Sequence, residues 1–129
     1  MKMRDNKRLG GIGEKVAIEY LKKQGYHIIE TNFKCKQGEI DIIAADDDII
    51  VFIEVKTRSS DVYGQPSEAV NYYKQRKIVQ VALTYLAKRN LFNWMSRFDV
   101  VEVIMEQTDK IANINLIKNA FEYSGKYGY

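Results

Sequence analysis

Cysteine and histidine are nearly absent from this 129-residue chain, which contains one of each, Cys35 and His27. A single cysteine excludes an internal disulfide framework and any zinc site with several cysteines, and a single histidine excludes a two-histidine metal site. No base partner for the Cys35 thiol is evident, and His27 reads as an ordinary strand residue. Any chemistry must therefore use carboxylates and lysines.

Long apolar runs are also missing. No stretch approaches the roughly 18 residues that a membrane helix needs, and the polar residues 1–8 lack the apolar core of a signal peptide. The composition, 46% hydrophobic and 29% charged, is that of an ordinary globular protein, and the length suits one domain over residues 1–129. We therefore expect a cytoplasmic protein without a membrane partner.

Positive charge exceeds negative charge only slightly, with 20 basic and 17 acidic residues and a formal net charge of +3. The basic residues are clustered, in an N-terminal arm over residues 1–8 and in a patch formed by Lys74, Arg76 and Lys77. Such patches are typical of surfaces that bind polyanions, and equally of solvated helix ends. Residues 122–129 read as a tail of uncertain order.

Hydrophobic periodicity predicts one helix, three strands, a second helix and two strands. Gly10, Gly11 and Gly13 are placed before the first helix, and Gly25 is placed as its C-cap. The predicted elements are a helix over Glu14–Gln24, strands over Tyr26–Phe33, Glu39–Ala45 and Ile49–Thr57, a helix from Pro66 and Ser67 to about Asn90, and strands over Phe98–Ile104 and Ile111–Ile117. This order predicts an α/β fold with a mixed central sheet flanked by helices.

The second and third predicted strands form a hairpin whose geometry fixes a polar group. If Asp47 and Asp48 are its two loop residues, Asp41 lies opposite Glu54, and Glu39 lies opposite Lys56. Opposed residues share a sheet face, with Cβ atoms about 4.5 to 5.5 Å apart. Asp41, Glu54 and Lys56 should therefore project together, and the strand that carries Glu54 and Lys56 is apolar on both faces.

Two carboxylates this close repel by roughly 3 kcal/mol at an effective dielectric constant near 20, which a bound cation would relieve. Oxygen ligands select a hard ion such as Mg²⁺ or Mn²⁺, which can activate a phosphodiester and a water molecule. Lys56 would hold the water or neutralise charge on the phosphate. Glu14, on the buried row of the first helix, is a further candidate ligand. The expected metal ligands are Asp41, Glu54, Val55 and Glu14, and the expected catalytic residues are Asp41, Glu54 and Lys56.

Other readings of these residues stay open. Glu39 is an alternative salt-bridge partner for Lys56, which would make the group structural. Arg58 and Gln65 follow the third strand and are candidates for phosphate contacts, and Tyr63 is a candidate for stacking on a base. Lys74 and Gln75 flank the core stripe of the second helix and are either close to the site or snorkelling side chains. The candidate nucleic-acid-binding residues are Glu39, Arg58, Tyr63, Gln65, Lys74 and Gln75.

Four blocks of sequence carry a resemblance to a known family. They are Gly11-Ile12-Gly13-Glu14, Gly38-Glu39-Ile40-Asp41-Ile42-Ile43-Ala44, Phe52-Ile53-Glu54-Val55-Lys56-Thr57-Arg58 and Arg97-Phe98-Asp99-Val100-Val101. In order and spacing they resemble the YraN-type family of small bacterial proteins, predicted endonucleases with a restriction-endonuclease-like fold. The resemblance implies a core similar to that of Holliday-junction resolvases within the PD-(D/E)xK superfamily. It also implies metal ligation by Asp41 and Glu54, and a catalytic Lys56. Ile40 stands where the motif is named for proline, a position that supplies no ligand.

The function expected from these observations is a Mg²⁺- or Mn²⁺-dependent endonuclease that hydrolyses phosphodiester bonds in DNA, with structure selectivity left open. The alternatives are a nucleic-acid-binding module that keeps the nuclease fold without turnover and a structural protein with a salt-bridge cluster. DNA is the favoured partner. A homodimer is also an open expectation, because two equivalent nicks need two sites.

Overall fold

A computed structural model describes residues 2–59, 71–106 and 110–122, with side chains from residue 10 onward. The elements in chain order are α1 (Lys2–Lys23), β1 (His27–Cys35), β2 (Gly38–Asp46), β3 (Ile49–Ser59), α2 (Tyr72–Lys88), β4 (Met95–Met105) and β5 (Ile111–Phe121). The order of helices and strands is the predicted one. It matches the α-β-β-β-α-β arrangement of restriction-endonuclease-like folds, followed by one more strand.

The five strands form one mixed sheet in the order β1-β2-β3-β4-β5. Neighbouring strands are antiparallel except for β3 and β4, which run parallel from Ile49 beside Met95 to Ser59 beside Met105. A parallel pair needs a crossover connection, and α2 lies in the crossover between β3 and β4. The strand β3 is therefore central, as its continuous apolar sequence predicted.

Each face of the sheet carries one hydrophobic core. On one face, Phe52 of β3 and Ile43 of β2 pack against Ile78, Ala82 and Tyr85 of α2. On the other face, Val51 and Ile53 pack with Val101 of β4 against Ala17 and Leu21 of α1. Alternate residues of β3 thus enter opposite cores, which places Glu54 and Lys56 on the α2 face with Phe52.

The start of α1 differs from the prediction. The helix begins at Lys2, so residues 2–8, expected as an arm, and the three glycines lie within it. An ideal Cβ atom on Gly13 would overlap the Thr57 side chain, so this glycine permits close approach of α1 to β3. The helix end was predicted correctly. Gly25 has a φ of 95°, and its N–H and that of Tyr26 donate to Lys22 and Leu21, as in a Schellman motif.

The second helix is capped by a residue that the sequence did not single out. Asn71 precedes α2, and its side-chain oxygen accepts a hydrogen bond from the Lys74 N–H at 2.9 Å. Pro66 and Ser67, the predicted start, lie outside the described residues, as do the predicted turn at residues 107–109 and residues 123–129 of the predicted tail. In the described ranges, no helix is both long and apolar enough to cross a membrane.

The β2–β3 hairpin has the predicted register over its first five pairs. Asp46 pairs with Ile49, and the pairing continues in step to Ile42 and Ile53. Asp47, the first loop residue, has a φ of 55°, a left-handed conformation that aspartate tolerates. The ladder ends one pair before Asp41 and Glu54, so the predicted pairs Asp41/Glu54 and Glu39/Lys56 are not formed as ladder pairs.

Candidate active site

The strand β2 changes face at Asp41. Ile40 packs in the core under α2, whereas Ile42, two residues on, packs in the core under α1. Residues two apart in a regular strand share a face, so the backbone must twist between them. At this point, the Val55 N–H donates to Oδ2 of Asp41 at 2.8 Å. The carboxylate thus takes the place of a ladder partner and is held against β3, beside Glu54.

Glu54 lies in the centre of the sheet and is only 9% exposed. Its carboxylate is not unpaired, because Nζ of Lys74 on α2 lies 2.7 Å from its Oε2 atom. The Lys74 side chain is 45% exposed, so this ion pair joins a buried anion to a cation at the cleft surface. Sequence periodicity placed Lys74 beside the core stripe but did not identify the pair, because the contact depends on how α2 docks on β3.

The position of Lys74 within α2 is electrostatically unusual. It is the third residue of the helix, and no acidic residue occupies the first turn. A cation at the positive end of a helix dipole typically costs about 0.3 to 1 kcal/mol. The ion pair with Glu54 and the backbone bond to Asn71 offset this cost and fix the lysine at the cleft.

Asp41 is the most perturbed carboxylate of this region. Its pKa is raised to about 7, first by burial and then by the negative charge of Glu54, while the hydrogen bond from Val55 opposes the shift. Glu14 and Glu39 add smaller repulsions. The pKa of Glu14 is itself raised by burial, despite a 3.1 Å hydrogen bond from the Asn32 amide. We call Glu14, Glu39, Asp41 and Glu54 the carboxylate cluster.

Lys56 follows Glu54 on the same face of β3 and is half-buried. Its pKa is lowered by burial and then by the nearby charge of Lys74, while Glu54 and Asp41 act in the opposite direction. Over the part of the chain that the structure describes, no carboxylate lies within 4.0 Å of its ammonium group. Glu39 and Lys56 are both described, so the alternative in which they form a salt bridge is wrong. The Glu39 side chain is exposed.

Two clefts meet at Asp41 and Glu39, which line both of them. The cleft on the α2 side has a volume of about 430 Å³, and its wall includes Glu54, Lys74 and Lys77. The cleft on the α1 side has a volume of about 660 Å³, and its wall contains Glu14, Asn32, Val55, Thr57 and Arg58. The structure thus brings Asp41, Glu54, Glu14, Glu39 and Lys74 to one region with access from two sides.

The remaining predicted site residues have varied positions. The Val55 side chain packs with the core under α1, so only its main-chain oxygen is available as a ligand. Nε of Arg58 lies 3.4 Å from a carboxylate oxygen of Glu102 on β4. Gln75 is half-buried on α2, whereas Tyr63 and Gln65 lie outside the described residues.

A second polar cluster was not singled out as a site. We call Tyr26, Asp46, Arg97 and Asp99 the Arg97 cluster. The Arg97 guanidinium donates to both carboxylate oxygens of Asp99, at 2.9 and 3.1 Å, and to Oδ2 of Asp46 at 2.9 Å. Tyr26 donates its hydroxyl proton to Asp99 at 2.8 Å, and the Asn119 N–H donates at 2.9 Å. These bonds join the end of β2 to β4 and β5. The available signal was an arginine and an aspartate two residues apart in an apolar strand.

The carboxylate cluster offers oxygen ligands, which are the type that a hard cation prefers. No group of three or more His, Cys, Asp or Glu side chains in the described ranges is arranged to hold a metal ion. Mg²⁺ does not require such a group, because it commonly binds one or two carboxylates and keeps several water ligands. Asp41 and Glu54 could supply those carboxylates, provided that Lys74 releases Glu54.

Fold and cleft together define a small α/β protein with a restriction-endonuclease-like arrangement and a cleft lined by Asp41 and the buried Glu54. The chain belongs to the uncharacterised protein family UPF0102, whose profile matches residues 13–103. It is 52% identical over 118 residues to a UPF0102 protein of Clostridium botulinum strain 657, covering 91% of this chain and 96% of that one. It is 53% identical over 117 residues to a UPF0102 protein of Caldicellulosiruptor saccharolyticus, covering 90% and 99%. This family is the YraN type that the sequence resembles.

Proposed function

We propose that this protein is a Mg²⁺- or Mn²⁺-dependent endonuclease that hydrolyses phosphodiester bonds in DNA. The observation that carries the proposal is the electrostatic state of Asp41. Burial and the adjacent Glu54 raise its pKa to about 7, so the ionised pair is unfavourable without a counter-ion. Structural carboxylates are usually paired or fully hydrogen-bonded, whereas perturbed carboxylates in a cleft are typical of functional sites.

Asp41 and Glu54 would hold the ion, with the main-chain oxygen of Val55 and, on the α1 side, Glu14 as further ligands. Asp41 suits this role because the hydrogen bond from Val55 to Oδ2 fixes its orientation. When bound, a divalent ion would supply Lewis-acid polarisation of the phosphate group and acidify a water molecule.

Lys56 would act on the reacting atoms. It follows Glu54 on the same sheet face, and its lowered pKa reflects partial burial beside other cations. An ammonium group in this setting can orient a water molecule or neutralise charge that develops on the phosphate. The cations of the α2-side cleft, Lys74 and Lys77, suit contacts with the phosphate backbone of the substrate.

One observation favours a second candidate, a nucleic-acid-binding module without turnover. Lys74 already neutralises Glu54 at 2.7 Å, so the cluster has a partial counter-charge without any metal ion. Such a module would use the same cations to bind phosphates but would neither need a divalent ion nor cleave.

The test is a cleavage assay of the purified protein with Mg²⁺ or Mn²⁺ on linear, flapped and four-way-junction DNAs. The matched control is Asp41→Asn, which keeps the side-chain size and the acceptor for the Val55 N–H. We expect cleavage that requires the ion and is lost in the variant. Binding without cleavage by the wild type would favour the module, and equal cleavage by both proteins would assign the activity to a contaminant.

A further inference from the structure

The Glu54–Lys74 ion pair occupies the position where the proposed function requires a metal ligand. The Lys74 ammonium lies 2.7 Å from Oε2 of Glu54, a contact at the short end of charge-assisted hydrogen bonds. An ion at Glu54 and this ammonium would compete for the same carboxylate.

The Lys74 side chain can move out of this contact, whereas the Glu54 side chain cannot. Glu54 is 9% exposed on a central strand, so its carboxylate has little freedom to move. Lys74 is nearly half exposed, and its backbone is fixed by Asn71, so only the flexible side chain must swing. The α2-side cleft gives the ammonium space to move without leaving the site.

We propose that Lys74 is an exchangeable counter-ion: it neutralises Glu54 in the metal-free protein and, when a divalent ion takes Glu54, passes to a phosphate of the bound nucleic acid. This inference rests on the proposed metal-dependent function and assigns Lys74 a role within it. The exchange couples metal binding to substrate binding, because the ion frees a cation that is otherwise tied to the protein. Lys74 is then a positioning residue for the substrate.

The first test measures Mn²⁺ affinity by calorimetry in three proteins without DNA. In Lys74→Met, Glu54 has no competing ammonium, and we expect Mn²⁺ to bind about fivefold more tightly than in the wild type, equivalent to about 1 kcal/mol. Lys77→Met is the matched control. Its ammonium lines the same cleft but lies 5.4 Å from the ring centroid of Tyr73, on the same helix. It removes the same charge without freeing Glu54, and we expect less than a twofold change.

The second test measures the affinity for a fluorescent DNA oligonucleotide with and without Ca²⁺, an ion chosen to limit cleavage. Lys74→Met should weaken binding several-fold with Ca²⁺ and hardly at all without it, because Lys74 contacts Glu54 in the ion-free state. Lys77→Met should weaken binding equally under both conditions. This dependence of the Lys74 effect on the ion is not expected of a merely structural lysine.

Each contrary outcome has a distinct meaning. Equal Mn²⁺ affinity in the wild type and Lys74→Met would overturn the exchange and leave the metal site standing. Equal tightening in Lys74→Met and Lys77→Met would also overturn it, because general charge would then explain the effect. No Mn²⁺ binding in any of the proteins would overturn the exchange and the proposed metal-dependent function together.

Discussion

The carboxylate cluster and the Arg97 cluster each contain a buried acidic side chain on the same sheet, Glu54 and Asp99, but the surroundings of their negative charges differ. Asp99 is 1% exposed and accepts hydrogen bonds from Arg97, Tyr26 and the Asn119 backbone. Asp41 accepts a hydrogen bond from Val55 and faces the charges of Glu54, Glu14 and Glu39. Arg97 pairs directly with Asp99, whereas Lys74 pairs with Glu54 and, among the described contacts, no cation pairs with Asp41.

This difference indicates that the Arg97 cluster has a structural role and the carboxylate cluster a different one. The Arg97 cluster anchors Asp46, the last residue of β2 before the hairpin loop, to β4. That contact fixes the loop end of the hairpin, where the pairing of β2 with β3 begins. The carboxylate cluster lies where this register ends and is left with excess negative charge. The hydrogen-bonded Arg97 cluster thus fixes one end of the hairpin, and the carboxylate cluster keeps the negative charge on which the proposed cation site depends.

The largest expected effect concerns the stability of the Arg97 cluster. Asp99→Ala leaves the mostly buried guanidinium of Arg97 without its bidentate partner and should lower the free energy of unfolding by about 3 to 5 kcal/mol. Urea denaturation measures the change. A loss below about 1 kcal/mol would show that the Arg97 cluster is not the structural one of the pair.

Lys56 provides the matching test for the carboxylate cluster. Lys56→Met keeps most of the side-chain stem and removes the charge, so we expect cleavage to slow by about 10² to 10³, or roughly 3 to 4 kcal/mol of activation free energy. DNA affinity should change little, because it is spread over many contacts. Rates and affinities measured on the same folded preparation decide the result. Wild-type cleavage by the variant would exclude Lys56 as a catalytic residue.

The next effect is the response of Asp41 to ions and pH. An ion at 100 times its Kd adds about 2.7 kcal/mol to the free energy of unfolding, visible as a raised melting temperature. Because the folded-state pKa of Asp41, about 7, lies above its ordinary value of 3.8, the folded protein binds more protons between these values. Without metal, the Asp41 contribution to stability should therefore fall as pH rises from about 4 to 7 and then level off.

Asp41→Asn is the control for both measurements. It should lose the ion-dependent rise in melting temperature and the part of the pH slope that belongs to Asp41. Melting curves of both proteins at pH 5 and pH 8, with and without Mg²⁺, separate the two effects. Identical ion responses in the wild type and the variant would remove Asp41 from the metal site.

The sequence was sufficient for the fold and for the hairpin because both follow from local rules. Hydrophobic patterning identified the strands, and a two-residue loop at Asp47 and Asp48 set the register from Asp46 to Ile42. The end of the ladder at Asp41 could not be predicted in this way, because it follows from a twist that moves Ile40 and Ile42 into different cores. Tertiary contact decides such features.

The Glu54–Lys74 ion pair is a second feature that could not be predicted from the sequence. The residues are twenty positions apart on different elements, and the pair forms only because α2 docks over β3 with its first turn at Glu54. The Arg97 cluster likewise unites residues from separate parts of the chain. In both cases, the charged residues are evident in the sequence, but the packing of the sheet and helices determines which of them pair.

The smallest expected effects concern the glycines of α1, where helix propensity and tertiary packing oppose each other. A Cβ atom on Gly13 would overlap the Thr57 side chain, so Gly13→Ala should force α1 away from β3 and cost about 1 to 3 kcal/mol of stability. Gly10 also lies inside the helix, but its Cβ position has no atom within 4 Å. Gly10→Ala should therefore stabilise the protein by about 0.5 to 1 kcal/mol. Because Glu14 follows Gly13, the first variant should also weaken any Mn²⁺ binding that uses Glu14, whereas the second should not. Denaturation and Mn²⁺ titration of the two variants test both points, and a stabilised Gly13→Ala protein would contradict the close approach of α1 to β3.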